Sequence, residues 1–471
     1  MARTNWTVVV LAAGLGKRMA SQLPKVLHPV LGEPMLGHVL RSAEALQPSR
    51  IVVVTGHGRA QVEAWIAGRE NSVPITCVEQ VNPNGTGHAM LCAQPAWQDA
   101  EEVLILYGDV PLLRRETLDA LRRDRGNRPL SLLVARVPDP TGYGRVVLNG
   151  AEIARVVEHK DANEAERQIN VVNAGMMAVR ADFLAQSLQR LTPNNAQGEL
   201  YLTDLVGMAA ESGQPGVATI AADPNEIQGV NNRAELAAAT AELRQRINHG
   251  WLMRGVAMDE PATAWIETTV QLEPDASLGA SVELRGKTTV AAGARIDRGC
   301  VLRDVAVAEH GHLLAYTVAT EAVVGQGAHV GPFAHLRPGT ELAADVKVGN
   351  FVETKKAKLG VGAKASHLSY LGDADIGAGC NIGAGTITCN YDGVNKFKTT
   401  LGEGVFIGSD SQLVAPVTLG DGAYVGAGST IIRDVPAGAL AVSRIEQKNV
   451  EGWVAKKKER QAAAKKAASG H

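Results

Sequence analysis

The segment Leu401–Ile432, LGEGVFIGSDSQLVAPVTLGDGAYVGAGSTII, repeats with period six. Its aliphatic positions are Leu401, Ile407, Leu413, Leu419, Val425 and Ile431. The residue after each is often Gly, and a small residue tends to come three further on, as in LGDGAY and VGAGST. A sustained hexapeptide period is the signature of a parallel β-helix. Each hexapeptide makes one short face and one turn, with its apolar side chain directed into the tube. Neighbouring coils bury that side chain, and no coil is stable alone.

The same period runs upstream through Leu272, Leu278, Leu284, Val290, Ile296 and Leu302, and through Val324, Val330, Leu336, Leu342 and Val348. A β-helix is therefore expected over residues 256–445. The register slips between Leu371 and Ile382, where Ile376 comes one residue early. It is interrupted again between Ile387 and Leu401 by the polar stretch TCNYDGVNKFKT. Insertions in a solenoid become loops, often on the binding face. Residues 446–471 end in KKKERQAAAKKAASGH, a basic, alanine-rich tail expected to be a solvated end with no assigned role.

Before the repeats, NRAELAAATAELRQRINHGWLMR is rich in helix formers and predicts a linker helix over 232–255. Residues 1–231 follow another grammar. Short β-branched runs (TVVVLAAG, RIVVVTGH, VLILYGDV, LSLLVARV, NAGMMAVR) alternate with amphipathic stretches such as Met35–Leu46 and Glu116–Arg123. This pattern predicts an α/β doubly wound, Rossmann-like domain with a mostly parallel sheet. Ligands in such sheets sit at the carboxyl ends of the strands. Gly14, Thr55-Gly56 and Gly108-Asp109 all fall there.

The first of these ends is a glycine turn, VVVLAAGLGKRMASQLPKVLHPV, from Val8 to Val30. Strand, glycine turn and helix start make an anion cradle from free backbone N–H groups. A P-loop would need a hydroxyl residue after the lysine, and Arg18 stands there. A dinucleotide fingerprint would need a third glycine where Met19 stands. The turn is thus either a third kind of nucleotide loop or an ordinary strand-to-helix connection.

Composition bounds the rest. At 471 residues the chain is long enough for two or three domains. A net charge of −2 argues against a nucleic-acid partner. Fifty glycines with only 4% aromatics suit a repetitive, turn-rich architecture. Five cysteines without a CxxC pair read as thiols in a reducing compartment. No run is long and apolar enough to span a bilayer, so no membrane association is expected and the protein is read as soluble and cytoplasmic.

Taken together, the glycine turn and the repeats resemble the family of bifunctional bacterial N-acetylglucosamine-1-phosphate uridylyltransferases and glucosamine-1-phosphate acetyltransferases, from Val8 to about Arg444. The opening loop is similar to that family's L-A-A-G-x-G-x-R-M…P-K motif, departing from its usual Lys and Thr at Leu15 and Lys17. The resemblance implies a left-handed β-helix, small-molecule substrates, UTP and acetyl-CoA as co-substrates, Mg²⁺ as cofactor, and a homotrimer assembled through the solenoid.

It also implies site residues. In-line attack on a nucleotide α-phosphorus gathers negative charge, which needs N–H donors, cations and a metal at fixed positions. Leu11, Ala12, Ala13 and Gly14 would contact UTP, with Arg18 and Lys25 as catalytic charge clamps. Gln80, Gly85 and Thr86 of QVNPNGTGH would read uridine, since a side-chain amide suits uracil's donors and acceptors. Tyr107, Gly108 and Asp109 of LYGDVPL and Asn231 of GVNNR complete the nucleotide site, and Asp109 and Asn231 would be the metal ligands. Gly144, Glu158 and Asn173 would hold the sugar.

In the second half, Arg337, Lys355, Tyr370 and Asn381 would bind glucosamine 1-phosphate, with Glu353 positioning its amine. His367 of KASHLSYLGDADIG would be the general base that deprotonates that amine. Ala384, Asn390, Tyr391, Ser409, Ala427 and Arg444 would contact acetyl-CoA. Two other readings compete with this one. One is a single-activity nucleotidyltransferase with a structural or regulatory β-helix, and the other is a β-helix scaffold carrying a nucleotide sensor. SHLSY and the CNYDG insertion speak against the first, because an assembly-only solenoid would not need them.

Overall fold

The computed structural model describes residues 5–195 and 197–468. It divides into two compact units, Met1–Met253 with Pro261–Val270, and Arg254–Glu260 with Gln271–His471.

The first unit is built on a nine-stranded sheet. In chain order its strands are β1 (Trp6–Leu11), β2 (Arg50–Thr55), β3 (Ile75–Glu79), β4 (Glu102–Tyr107), β5 (Leu130–Arg136), β6 (Arg145–Asn149), β7 (Glu152–Val157), β8 (Val171–Arg180) and β9 (Val217–Ile220). Their spatial order is β3-β2-β1-β4-β8-β5-β9-β7-β6. β3, β2, β1 and β4 run parallel, β8 enters antiparallel between β4 and β5, and the β6–β7 hairpin is antiparallel. The all-aliphatic runs reflect burial on both faces. Within β1, Val8 and Val10 join one core, while Val9 joins the other. The expected parallel half is present. The sequence reading missed β3, the hairpin and β9, and it did not anticipate the reversed direction of β8.

The expected linker helix spans Arg233–Leu252 and groups with the first unit. Asn232 caps its first turn, accepting from Glu235 N–H at 2.9 Å. Leu236, Ala239 and Trp251 are buried. Asn248 Nδ2 donates to the carbonyls of Pro261 (2.7 Å) and Ala264 (3.0 Å), tying segment 261–270 back to the helix.

The second unit is a solenoid of parallel strands. Residues recur on one wall as Ser277↔Arg295, Arg295↔His312, His312↔His329, His329↔Lys347, Lys347↔Lys364 and Lys364↔Asn381. Every residue of the three period-six runs is buried, from Leu272 to Ile431, whereas at the interruption Ile387 is exposed and Thr388 points inward. Small residues two places earlier, such as Thr288, Thr317 and Ser411, are also fully buried. Their hydroxyls donate to the carbonyl three residues back, which satisfies the polar group inside the tube. At the insertion the repeat lengthens: Asn381 pairs with Phe406, 25 residues on. Trp453–Ala468 of the tail is a helix whose side chains stand exposed through Lys465.

Candidate functional site

In the first unit β1 and β4 end side by side, with Leu11 and Tyr107 as register partners. β2 flanks β1 on the other side and β8 follows β4, so the strand order reverses here, where open α/β sheets bind ligands. Ala12 N–H donates to Val54 O and Gly108 N–H to Leu11 O, both at 2.9 Å. The backbone of Ala12–Gly14 therefore leaves the sheet beside Asp109. A cleft of about 260 Å³ opens there. Leu11, Ala12, Ala13, Gly14, Lys25, Gln80, Gly85, Thr86, Tyr107 and Asp109 line it.

Lys25 is the convergence point. Its ammonium pairs with the Asp109 carboxylate and donates to Asn231 Oδ1 at 3.1 Å. These partners lie 84 and 206 positions away in sequence. Gly16 makes the approach possible. It is left-handed (φ 60°), and a Cβ on it would lie 2.7 Å from Lys25 Cβ. Arg18 is not brought into the lining; it stands exposed in the short turn Lys17–Met19.

The end of the cleft at Gly85 and Thr86 is closed by a segment that the sequence reading missed. Leu200 N–H donates to Asn84 O at 3.0 Å, Gly87 N–H donates to Leu200 O at 2.8 Å, and Leu202 N–H donates to Thr86 Oγ1 at 3.2 Å. Glu199 thereby joins the lining. No motif marks this segment; it is recruited by backbone pairing with residues about a hundred places earlier.

The three expected sugar residues meet next to Tyr107. Asn173 N–H donates to Gly144 O at 2.9 Å, and Asn173 Oδ1 accepts from Gly175 N–H at 2.7 Å. A Cβ on Gly144 would lie 3.4 Å from Glu158 Oε1. Gly175 is left-handed (φ 78°), and a Cβ there would come within 2.8 Å of the Tyr107 ring. Burial, and then the Asp109 and Glu158 charges, push the Tyr107 hydroxyl far up, so it is a neutral donor. Burial, and then the charges of Asp161 and Asp204, push the Glu158 carboxyl up.

The solenoid groups its residues in columns. Leu336 pairs with Thr354 and Lys355 with Gly372, so Arg337 and Lys355 stack one coil apart. Arg337 Nη1 donates to Glu353 Oε1 at 2.7 Å, and Glu353 is the register partner of Tyr370. The Lys355 ammonium is pushed down, first by Lys396 and then by Arg337, with Asp373 opposing. Lys396 belongs to the insertion and was not picked out from the sequence. Three cations on one face favour an anion there.

Past the corner that follows this wall's predecessor, His367 pairs with Asn350, and its Nδ1 lies 3.1 Å from Asn350 Oδ1. One coil further, Ala384, Ser409 and Ala427 form a column along the axis. Asp410 N–H donates to Ala384 O (2.7 Å), Gly428 N–H to Ser409 O (2.8 Å), and Arg444 Nη1 to Ala427 O (3.0 Å). Asn390 donates to Asp373 Oδ2 at 2.5 Å, which anchors the insertion, and Tyr391 stands exposed in it. Asn381 is not brought to this group. It pairs with Lys364, at the far end of the wall that carries His367, roughly 10 Å along the strand.

Comparison with known proteins agrees with both halves. Residues 8–170 match the MobA-like NTP transferase domain, and residues 398–433 match the bacterial transferase hexapeptide (six repeats). The chain is 48% identical over 448 residues to the bifunctional protein GlmU of Alkalilimnicola ehrlichii, covering 95% of this chain and 96% of that one. It is 49% identical over 464 residues to the protein of the same name from Sorangium cellulosum, covering 97% and 98%. It is also 49% identical over 447 residues to that of Stutzerimonas stutzeri, covering 95% and 98%.

Proposed function

The chain belongs to the GlmU family of bifunctional proteins, and from that premise we propose how its two sites divide the work. It is a bifunctional nucleotidyltransferase and N-acetyltransferase that serves UDP-N-acetylglucosamine and cell-wall synthesis. On the solenoid, acetyl-CoA acetylates glucosamine 1-phosphate. In the cleft, UTP and the acetylated sugar phosphate give UDP-N-acetylglucosamine and pyrophosphate.

In the cleft, a sugar-phosphate oxygen forms a bond to the α-phosphorus of UTP while the bond to pyrophosphate breaks, and pyrophosphate leaves with the electron pair. Lys25 offsets the charge, and the N–H groups of Ala12–Gly14 hold the phosphates; Arg18, exposed in the neighbouring turn, is given no contact here. Mg²⁺ fits the donor set. The Asp109 carboxylate and the Asn231 amide oxygen both point at one cation, the Lys25 ammonium. Two hard oxygens plus substrate phosphates suit that ion, which would add charge neutralisation. Gly144, Glu158 and Asn173 hold the sugar.

On the solenoid, Arg337 and Lys355, with Lys396, clamp the sugar phosphate, and Tyr370 lines the same face. His367 takes a proton from the substrate ammonium. The freed amine forms a bond to the thioester carbonyl, the C–S bond breaks, and coenzyme A leaves as the thiol. Ala384, Ser409, Ala427, Asn390, Tyr391 and Arg444 hold the coenzyme. Asn381 lies too far along the wall to serve its own chain's His367, so it serves a neighbouring subunit of a trimer. An exposed apolar ladder supports that assembly. Tyr316, Phe333 and Phe351 stack with ring centroids 5.4 and 5.6 Å apart, and the ladder continues to Leu368 beside His367. All four take left-handed φ, a conformation bulky residues rarely adopt. Among the described residues no helix is long and apolar enough to cross a membrane, and the five cysteines are free, which suits the cytoplasm.

The observation that carries the two-activity reading is the Arg337–Lys355–Lys396 cluster on the solenoid, for which a purely structural solenoid has no use. The deciding experiment mixes the protein with glucosamine 1-phosphate and acetyl-CoA, without UTP, and measures free thiol. Thiol release is expected. Its absence, with uridylyl transfer intact, would leave a single-activity enzyme.

A further inference from the structure

Gln80 follows β3, and its backbone N–H donates to Thr55 O at 2.8 Å. Its side chain is buried against the helix Thr86–Trp97 and lines the cleft. A primary amide has two N–H donors and one oxygen acceptor. Here Nε2 makes two contacts, 3.0 Å to Gly85 O and 3.2 Å to Nδ1 of His88. Gly85 O can only accept. His88 Nδ1 accepts when the imidazole carries its hydrogen on Nε2. Both amide hydrogens are then used inside the protein, and Oε1 has no partner among the described residues. Turning the amide over would set its oxygen against two acceptors at once.

We propose that His88 is a positioning residue for nucleotide choice: by taking the second amide hydrogen of Gln80, it leaves that side chain able only to accept at the base. The inference rests on Gln80 reading the base. Uracil has an N–H at position 3 to give to Oε1. Cytosine has a lone pair there and meets oxygen with nitrogen, acceptor against acceptor. A site that must leave polar groups opposed rejects the wrong partner more strongly than one that merely lacks a contact. Without His88 one amide hydrogen is free, the turned-over amide opposes only Gly85 O, and an N–H can be presented to cytosine.

The test compares kcat/KM for UTP and CTP in the full-length protein with N-acetylglucosamine 1-phosphate, using thiol release by the solenoid site as a control for folding. His88→Leu, which has no acceptor, should lower the UTP/CTP ratio about fivefold, mainly through KM for UTP, and leave thiol release unchanged. His88→Asn restores an acceptor and should recover most of the ratio. Gln80→Met tests the underlying reading. If it leaves the ratio unchanged, Gln80 does not read the base and the inference falls with that reading. If Gln80→Met collapses the ratio while His88→Leu does not change it, the reading stands and the role of His88 is overturned. If His88→Leu does not fold, the wild-type enzyme decides the point with N3-methyl-UTP, which has no hydrogen to give. Rejection supports an accept-only amide, and turnover comparable with UTP overturns it.

Discussion

The cleft and the solenoid gather charge by opposite routes. In the cleft, distant parts of the sequence converge: Lys25, Asp109 and Asn231 come from three separate connections and meet at one ammonium. On the solenoid, repetition does the placing. Arg337 and Lys355 lie above each other because the coil returns, and Lys396 reaches them from the insertion that interrupts the repeat. Convergence yields an enclosed site held by many elements. Repetition yields an open face on which His367, the proposed base, stands exposed.

The widest separation of the two sites is expected from their central residues. Asp109→Ala removes the carboxylate that pairs with Lys25 and that is proposed to hold the metal. Uridylyl transfer, followed as pyrophosphate release, should fall by about a thousandfold or more while acetyl transfer persists. Equal loss of both would break the two-site comparison. His367→Ala should do the reverse, lowering thiol release by about a hundredfold or more and sparing pyrophosphate release. An unchanged acetylation rate would remove His367 as the base.

The claim that the solenoid site needs a second copy is sharpened by Phe351→Glu. It puts a charge into the stacked ladder on every subunit. A trimer should give way to monomers in sedimentation, with acetyl transfer down about tenfold or more and uridylyl transfer unchanged. A trimer of normal activity would mean that the ladder is not the seam.

How much was legible in the sequence follows from the same contrast. The hexad positions were readable because period six forces one aliphatic residue inward per face, and all those of the three runs are buried. Lys25, Asp109 and Asn231 were reached through motifs; the contact joining them spans 206 positions and has no local signal. Segment 199–202 was invisible for the same reason, since its role is set by backbone pairing with 84–87. The direction of β8 was also hidden, because a strand buried on both faces reads the same whichever way it runs. Lys396 was passed over because it sits in an aperiodic loop. Arg18 shows the converse: the motif was present, but the side chain stands in solvent.

The helix Arg233–Leu252 looked like a strut because Ala, Leu, Glu and Arg say only that a segment is helical, not what it packs against. Its place in the first unit predicts a difference between two fragments. One ending at Asn248 loses Trp251, Ala264 and Ile266, all buried. One ending at Val270 keeps them. At about 1.5–3 kcal/mol for each large buried side chain, the shorter fragment should melt about 5–10 °C lower and tend to aggregate. Equal melting temperatures would return the helix to the role of a free linker.

The smallest effect is the most specific to an enclosed site. Glu158 is held above the ordinary carboxylate range, chiefly by burial. Its native form keeps a proton over a pH window in which the unfolded chain, titrating near about 4.3, has already released it. The unfolded state binds fewer protons there, so stability falls as pH rises from the unfolded value to the raised native one, and the penalty stays constant above it. Glu158→Gln removes that penalty. Because the group is only partly buried, screening keeps the gain small, a rise in melting temperature of about 1–2 °C at pH 7 and none at pH 4. The same change should raise KM for the sugar phosphate about tenfold, since a neutral amide accepts more weakly from sugar hydroxyls than a carboxylate. A protein destabilised at pH 7 by this substitution would show that Glu158 is paired rather than strained. The cleft would then resemble the solenoid face, where Glu353 sits in the open against Arg337.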